Sequence, residues 1–257
     1  MPLSPEELRP LVEEYLEALE LWPALHGQAE SVRYSLAVGG KRVRPVICLA
    51  TAEAAGAGLW DALPAACALE LVHTFSLVHD DLPALDDDAE RRGHPSTWKQ
   101  FGEANGILAG DALLAEAFRL AASYETTDVV RELSQATLGM IGGQYLDVNR
   151  NAPDEATLHK LKTGCLFDAS VGLALWVAEV PEASQAPWRA FAGELGLLFQ
   201  IVDDILDGDG YVITHGVEGA RRLADEAADR ARRQLDGVEA DTSVLREIVD
   251  GLAVRTA

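Results

Sequence analysis

The strongest constraint on the fold is a helical period that runs through almost the whole chain. Apolar residues recur every three to four positions over long segments, and Pro and Gly fall mostly between them. No stretch of useful length alternates apolar and polar residues as a half-buried strand does. The predicted helices cover residues 6–21, 28–38, 43–55, 65–81, 102–123, 127–149, 155–180, 188–207, 216–235 and 242–252. The pattern predicts an all-α fold.

The 257 residues can form one large domain or two small ones, and either choice buries a sizeable core. No Ser/Gly-rich linker, sustained charge block or sequence repeat divides them. A single helical domain over residues 1–257 is therefore the simplest prediction.

The charge balance bears on partners and location. The chain has 42 Asp and Glu against 21 Lys and Arg, a formal net charge of −21, which argues against a nucleic-acid surface or adsorption to an anionic membrane. No apolar run approaches the ~20 residues that span a bilayer, so no stable membrane insertion is expected. The N-terminus lacks a signal-peptide pattern, and Cys48, Cys67 and Cys165 are predicted to be reduced core thiols. Together these features predict a cytoplasmic protein.

An acidic stripe interrupts an otherwise apolar helix over residues 191–207. Gln200, Asp203 (or Asp204) and Asp207 recur at spacings of three and four, so that Asp203 and Asp207 share one face. Carboxylates on a buried helix repel each other and resist the loss of water. They therefore need a cation or a water-filled cavity.

A second predicted helix, over residues 65–81, carries a similar stripe. His73, Ser76 and Asp80 lie on one face, and the chain continues to three further aspartates at 86–88. Chance placement on solvated faces is the alternative for each cluster, but two apolar helices that both end in Asp-Asp favour a shared role. Oxygen ligands suit Mg²⁺ before Ca²⁺ or Zn²⁺, and Mg²⁺ fills its shell with water and phosphate. The clusters therefore predict a phosphorylated substrate held between metal ions.

Basic residues are concentrated at three places in this acidic chain. The clusters are Gly39-Gly-Lys-Arg-Val-Arg-Pro45, Arg91-Arg92-Gly93 and Lys160-Leu-Lys162-Thr163-Gly164. Each has a structural alternative, namely a turn with solvated charges, neutralisation of the neighbouring acids or an exposed helix face. Together they supply the cations that a diphosphate requires.

The order of these motifs resembles the trans-isoprenyl diphosphate synthase (polyprenyl synthetase) family, in particular its bacterial farnesyl diphosphate synthase or geranyltranstransferase type. The match covers about residues 33–207 and is specific because no single motif carries it. Besides the first basic cluster, the motifs are His73-Thr-Phe-Ser-Leu-Val-His-Asp-Asp-Leu-Pro-Ala-Leu-Asp-Asp-Asp88 with Arg91-Arg92-Gly93, Gly110-Asp-Ala-Leu113, Gly142-Gly-Gln-Tyr-Leu-Asp147, Leu161-Lys-Thr-Gly164 and Phe199-Gln-Ile-Val-Asp-Asp-Ile-Leu-Asp207.

The resemblance implies a helical bundle around a central active-site cavity, a homodimer, and a requirement for Mg²⁺ that Mn²⁺ could also meet. It implies metal ligation by Asp80, Asp86 and Asp203, supported by Asp81, Asp204 and Asp207. It implies isopentenyl diphosphate binding by Lys41, Arg44, His73 and Arg92. The allylic diphosphate would be held by Arg91 and Lys162, and its cation would face Thr163, Gln200 and the Lys162 carbonyl.

The implied reaction is head-to-tail condensation of isopentenyl diphosphate with dimethylallyl or geranyl diphosphate. Ionisation of the allylic ester, attack by the isopentenyl double bond and loss of a proton need no side-chain nucleophile. In this family the residue five positions before the first motif helps to set product length. Here it is Phe75, followed by Ser76, which favours farnesyl diphosphate; an ordinary core role for Phe75 is the alternative.

One departure from the family pattern follows the second acidic motif. The family has a loop with Gly-Lys and a further Lys near the allylic diphosphate, whereas here Asp207 is followed by a short segment, about 208–216, without a basic residue. The allylic site therefore lacks at least one expected positive charge.

Four other functions compete with farnesyl diphosphate synthesis. A geranylgeranyl or other chain-length synthase would share every motif. A class I terpene cyclase would have no use for the isopentenyl diphosphate set, and a low-activity partner subunit should have lost an aspartate motif. A His-Asp phosphohydrolase centred on His79 and Asp80 would leave the second acidic cluster unexplained.

Overall fold

The computed structural model describes residues 2–254 and is almost entirely helical. Its helices are α1 (Pro5–Ala18), α2 (Gln28–Ala37), α3 (Val43–Ala54), α4 (Leu59–Asp80), α5 (Thr97–Phe101), α6 (Glu103–Ala121), α7 (Asp128–Val148), α8 (Glu155–His159), α9 (Cys165–Val177), α10 (Ala186–Asp207), α11 (Gly210–Leu235) and α12 (Ser243–Ala253). A five-residue π-helical turn, Lys160–Gly164, joins α8 to α9. Short 3₁₀ turns cover Pro23–Leu25 and Glu182–Ser184, and β1 (Glu90–Arg91) pairs antiparallel with β2 (His94–Pro95). The all-α prediction is confirmed.

The core forms around α4, which packs against α3, α6 and α9. Most of its residues are buried, including Leu63, Leu69 and Leu71, so it is apolar nearly all round. By length and composition α4 could cross a membrane, but 72% of its most apolar 18-residue window is buried inside the protein. This burial is typical of a core helix. The cytoplasmic location stays a prediction.

Three elements differ from the sequence prediction. Helix α4 begins at Leu59 instead of 65, because Pro64 removes one hydrogen bond near the helix start without ending the helix. A short helical segment that begins at Gly210 precedes Gly216, whose non-helical backbone (φ 70°, ψ 163°) divides α11 at the predicted boundary. The helix predicted over 155–180 is divided by the π-helical turn. The segment predicted as a loop over about 208–216 is therefore mostly helical.

A buried carboxyl group on α9 makes stability depend on pH. Burial raises the pKa of Asp168 from 3.8 to about 6, and Lys160 opposes that rise. The unfolded chain therefore releases this proton at lower pH than the folded chain does, and stability is lost as pH rises from about 4 to 6. We expect Asp168→Asn to raise the free energy of unfolding at pH 8 by about 2–3 kcal/mol. The gain should be much smaller at pH 4.

Urea unfolding of wild type and Asp168→Asn at pH 4 and pH 8 measures this effect. The control is Asp225→Asn, which removes an exposed carboxylate from α11 and should leave stability within about 0.5 kcal/mol. An equal effect of Asp168→Asn at both pH values would show that its carboxyl group does not titrate as described.

Candidate active site

A cavity of about 640 Å³ lies between α4, α6, α7 and the π-helical turn. One part of its wall is apolar and includes Phe75, Leu114 and Met140. Another part is polar and carries Arg44, Asp80 and Lys162. The space therefore suits a molecule with an apolar chain and an anionic end.

The first acidic cluster lies where α4 ends. Asp80 is the last residue of the helix, and the Asp86 backbone N–H donates to the Asp80 carbonyl at 2.9 Å, so the chain folds back and brings the two residues together. Burial raises the pKa of Asp80 to about 6; the positive charge of Lys162 opposes this, and Asp86 and Asp81 add to it. Asp80 is thus a partly buried carboxylate without an adequate counter-charge.

Asp81 has a different environment from Asp80. It is buried, and Arg91 on β1 donates to its carboxylate through Nη2 and, at 3.0 Å, through Nε. Arg91 also lies 3.4 Å from Asp88. The hairpin that carries Arg91 turns at Arg92 and Gly93, both with positive φ. Arg91 therefore pairs with the acidic motif itself.

The first basic cluster divides into structural and site residues. Arg42 is buried and bonds to Glu13, Glu70 and the Leu36 carbonyl, so it holds α1, α2 and α4 together. Lys41 is exposed. The Arg44 guanidinium lies 4.9 Å from the centre of the Phe167 ring, and its Nε is buried without a partner.

The electrostatics around Arg44 keep one neighbour neutral. Burial lowers the pKa of Arg44 to about 10, so it remains a cation at neutral pH. Burial, and then the charges of Arg44 and Arg92, hold the pKa of His73 well below its usual range. Arg92 donates to the Gly39 carbonyl, which brings the hairpin to the Gly39–Gly40 turn. Of the predicted isopentenyl diphosphate residues, His73, Arg44 and Arg92 are thus electrostatically linked.

The second acidic cluster is at the end of α10. Asp203 is half-buried and its pKa is raised by burial and by Asp207, while Lys41 opposes the rise. Asp207 is exposed. Asp204 is 4% exposed, and its two oxygens accept from Gln200 Nε2 at 2.7 Å and from the Tyr211 backbone N–H at 2.9 Å. Asp203 is therefore open to a ligand, while Asp204 holds the start of α11.

Lys162 and Thr163 lie in the π-helical turn and line the cavity. Lys162 Nζ is 2.5 Å from an oxygen of Asp147 on α7, a residue that the sequence-based set of site residues leaves out. The sequence pointed to Asp147 only through its position at the end of the motif Gly142-Gly-Gln-Tyr-Leu-Asp147. A Cβ atom at Gly143 would lie 2.5 Å from the Lys162 backbone nitrogen, so only glycine allows α7 this close to the turn. π-Helical turns often occur at functional sites.

The two residues predicted to influence product length both line the cavity. Phe75 is 7% exposed and packs edge-on against His79, with ring centres 5.1 Å apart. Ser76 Oγ donates to the His73 carbonyl at 2.8 Å. The Phe75 ring therefore occupies space beside the apolar part of the wall.

A divalent cation fits the unpaired carboxylates. Within residues 2–254, no ion pair involves Asp80, Asp86, Asp203 or Asp207. Burial raises the pKa of both Asp80 and Asp203, so each would gain from a neighbouring positive charge. An all-oxygen set of this kind matches the preference of Mg²⁺ or Mn²⁺.

A largely apolar cavity whose lining also includes acidic and basic groups fits a helical enzyme for phosphorylated apolar substrates, and similar proteins support that class. The polyprenyl synthetase family model matches residues 28–216. A farnesyl diphosphate synthase of Bacillus subtilis (strain 168) is 38% identical, with 94% of this chain and 92% of that protein covered. A geranylgeranyl diphosphate synthase of Cyanophora paradoxa is 44% identical over 69% of this chain, which spans 64% of that relative's length.

Solved structures agree with the sequence relatives. An apo crystal structure of an FPP/GFPP synthase from Zymomonas mobilis has a TM-score of 0.85 and 30% identity, with 97% of each chain covered. The chain belongs to the polyprenyl synthetase family. It is accordingly a trans-prenyltransferase of a family that uses isoprenoid diphosphates, and the resemblance inferred from its motifs is confirmed.

The alignment with the Bacillus enzyme contains gaps on the side of this chain. It runs over 275 positions, whereas 94% of 257 residues is about 242, so about 33 positions of the relative have no counterpart here. In this chain only Gly208 and Asp209 separate α10 from α11.

Proposed function

We propose that this chain condenses isopentenyl diphosphate with dimethylallyl and geranyl diphosphate and releases farnesyl diphosphate. The observation that carries the proposal is that one cavity is lined by the charged residues Arg44, Asp80 and Lys162 and also by the apolar ring of Phe75. Relatives include both farnesyl and geranylgeranyl diphosphate synthases, so the family supports the reaction class and Phe75 supports the shorter product.

We assign the allylic diphosphate to the space between the two acidic clusters. Asp80, Asp86 and Asp203 would hold Mg²⁺, which neutralises charge on the leaving diphosphate when it is bound. Lys162 adds a positive charge beside Asp80, and Arg91 can move from Asp81 and Asp88 to phosphate oxygens. Asp81, Asp204 and Asp207 lie next to these ligands along the chain and support them.

We assign the isopentenyl diphosphate to Lys41, Arg44, His73 and Arg92. Arg44 remains protonated at neutral pH, and its buried Nε–H has no partner in the described part of the chain and can donate a hydrogen bond to a phosphate oxygen. His73 is neutral, so one of its ring nitrogens donates to a phosphate oxygen without adding charge. The second substrate thereby lies opposite the allylic carbon that it attacks.

The allylic cation needs oxygen dipoles nearby and little water. Thr163 and the Lys162 carbonyl lie in the π-helical turn, and Gln200 is oriented by Asp204. Apolar side chains from α4, α6 and α7 line the rest of the cavity and limit capture of the cation by water. The departing diphosphate is the base that removes the final proton.

A homodimer would cover an apolar stripe on α7. Leu138, Ile141, Tyr145 and Val148 are exposed at spacings of three and four, and Ile107 and Leu108 on α6 are exposed as well. Three of these residues also line the cavity: Ile141, Tyr145 and Val148. A second copy on this face would therefore bury the stripe and complete the cavity wall.

Incubation of the protein with Mg²⁺, isopentenyl diphosphate and each allylic diphosphate in turn tests the proposal, with products separated by chain length. Farnesyl diphosphate as the main product supports it. A C20 product would favour the geranylgeranyl alternative, and hydrocarbon or alcohol formed without isopentenyl diphosphate would favour a cyclase. No product would indicate a subunit that needs a partner.

We expect Phe75→Ala to lengthen the product, because a bulky ring is removed beside the apolar part of the cavity. With geranyl diphosphate as the allylic substrate, C20 and longer diphosphates should exceed the C15 product. The control is Phe118→Leu on α6, a partly buried aromatic residue that does not line the cavity. An unchanged product distribution for Phe75→Ala would assign Phe75 to the core alone.

A further inference from the structure

A second group of potential metal ligands includes the residue that directly precedes the π-helical turn. One oxygen each from Glu155 and Asp204 and one ring nitrogen of His159 all lie within 4.8 Å of one another. Glu155 begins α8, His159 ends it, and Asp204 is on α10. Asp204 is the only member of this group that the sequence connected with metal binding.

Among the residues that the structure describes, His159 in this group has a buried nitrogen without a hydrogen-bond partner, and Asp204 is a buried carboxylate without a counter-charge. His159 Nδ1 is buried and has no hydrogen-bond partner. The Asp204 carboxylate is 4% exposed, and across residues 2–254 no Lys, Arg or His lies within ion-pair distance of it. Its two hydrogen bonds come from neutral donors on Gln200 and Tyr211. Burying a carboxylate without a cation is costly, so the site calls for a positive charge.

A cavity of about 210 Å³ reaches one member of the group, His159. Gln200 and Tyr211, whose N–H groups donate to Asp204, also line this cavity, as do Lys160 and Asp168. The Tyr211 ring lies against the His159 ring, with centres 5.9 Å apart. Glu155 is exposed and can close over an ion from the solvent side.

We propose that Glu155, His159 and Asp204 bind one divalent transition-metal ion of the Zn²⁺ class. Two carboxylates with an imidazole are a mixed oxygen and nitrogen set, which Zn²⁺ accepts in four-coordinate sites and Mg²⁺ rarely uses. This site shares only the supporting residue Asp204 with the one assigned to Asp80, Asp86 and Asp203, and it does not depend on the proposed function.

The ion would join the two segments that carry the allylic-site residues. His159 directly precedes the turn that holds Lys162 and Thr163, while Asp204 orients Gln200 and the start of α11. Only Gly208 and Asp209 connect α10 to α11, and neither carries a positive charge. The ion would supply a positive charge there and a cross-link between α8 and α10.

Zinc binding without any diphosphate tests the site directly. The full-length protein is treated with a chelator, dialysed and titrated with Zn²⁺ in competition with a chromophoric chelator. We expect one tight Zn²⁺ per chain, and a loss of affinity of at least about 10-fold in both Glu155→Gln and His159→Gln. Glu155 is exposed, so its variant keeps the fold even if His159→Gln does not.

Two controls separate this site from the catalytic one. Asp203→Asn should keep the tight Zn²⁺, because Asp203 belongs to the other cluster, and His26→Asn changes an exposed histidine between α1 and α2. Replacement of Zn²⁺ by Co²⁺ should give visible absorption bands that disappear in Glu155→Gln. Unchanged affinity in Glu155→Gln and His159→Gln, loss of the tight ion in Asp203→Asn, or no tight ion in the wild type would each overturn the proposal.

Discussion

Asp80→Ala is expected to lower turnover by about 10³-fold or more and to leave the protein folded. The loss follows because Asp80 is a partly buried carboxylate of the cavity wall, under the influence of the charges of Lys162 and Asp86, where a metal ion must neutralise the leaving diphosphate. The fold survives because burial raises the pKa of Asp80 to about 6, so its ionised form costs stability when no cation is bound. Initial rates of isopentenyl incorporation and thermal unfolding measure the two effects.

The matched control for this substitution lies in the same acidic run. Asp88 is exposed, and its side chain makes only a 3.4 Å contact with Arg91. We expect Asp88→Asn to stay within a few-fold of wild-type turnover. Equal losses of turnover in the two variants would mean that the total negative charge of this acidic run matters and that Asp80 has no particular role.

The helical architecture could be predicted because it depends on periodicity, which is local. The apolar pattern of α4 and the acidic stripe near the end of α10 both follow from the sequence. The start of α4 could not be predicted, because Pro64 usually marks a helix boundary and here lies within the helix. Tertiary packing of α4 overrides this local signal, whereas the break at Gly216 lies where the sequence places it.

Contacts between distant segments limit what the sequence predicts about the site. The sequence places Asp80 and Asp203 in acidic clusters, but it cannot show that Arg91 pairs with Asp81 or that Asp204 orients Gln200. These contacts depend on the β-hairpin and on the short connection into α11. The π-helical turn has no sequence period of its own, so the prediction extended one helix through it. Asp147 is important only because this turn brings Lys162 next to it.

Gly143→Ala is expected to damage both stability and turnover. A Cβ atom there would lie 2.5 Å from the Lys162 nitrogen and 2.8 Å from its Cα, and backbone atoms cannot move aside as a flexible side chain can. Overpacking of this kind costs about 1–3 kcal/mol. Because the displaced turn carries Lys162 and Thr163, a shift of about 1 Å should lower turnover by about 10²-fold. Urea unfolding and steady-state rates measure the two losses.

The neighbouring glycine provides an unusually close control. Gly142 lies in the same helix, and a Cβ atom there would have no heavy atom within 4 Å. Gly142→Ala should therefore keep turnover and raise the free energy of unfolding by up to about 1 kcal/mol, because alanine is the better helix former. If both variants retained full turnover, the turn would tolerate displacement, and the positions of Lys162 and Thr163 would matter less than their charge and polarity. If only Gly143→Ala lost activity, the close approach of α7 would be what holds those two residues in the site.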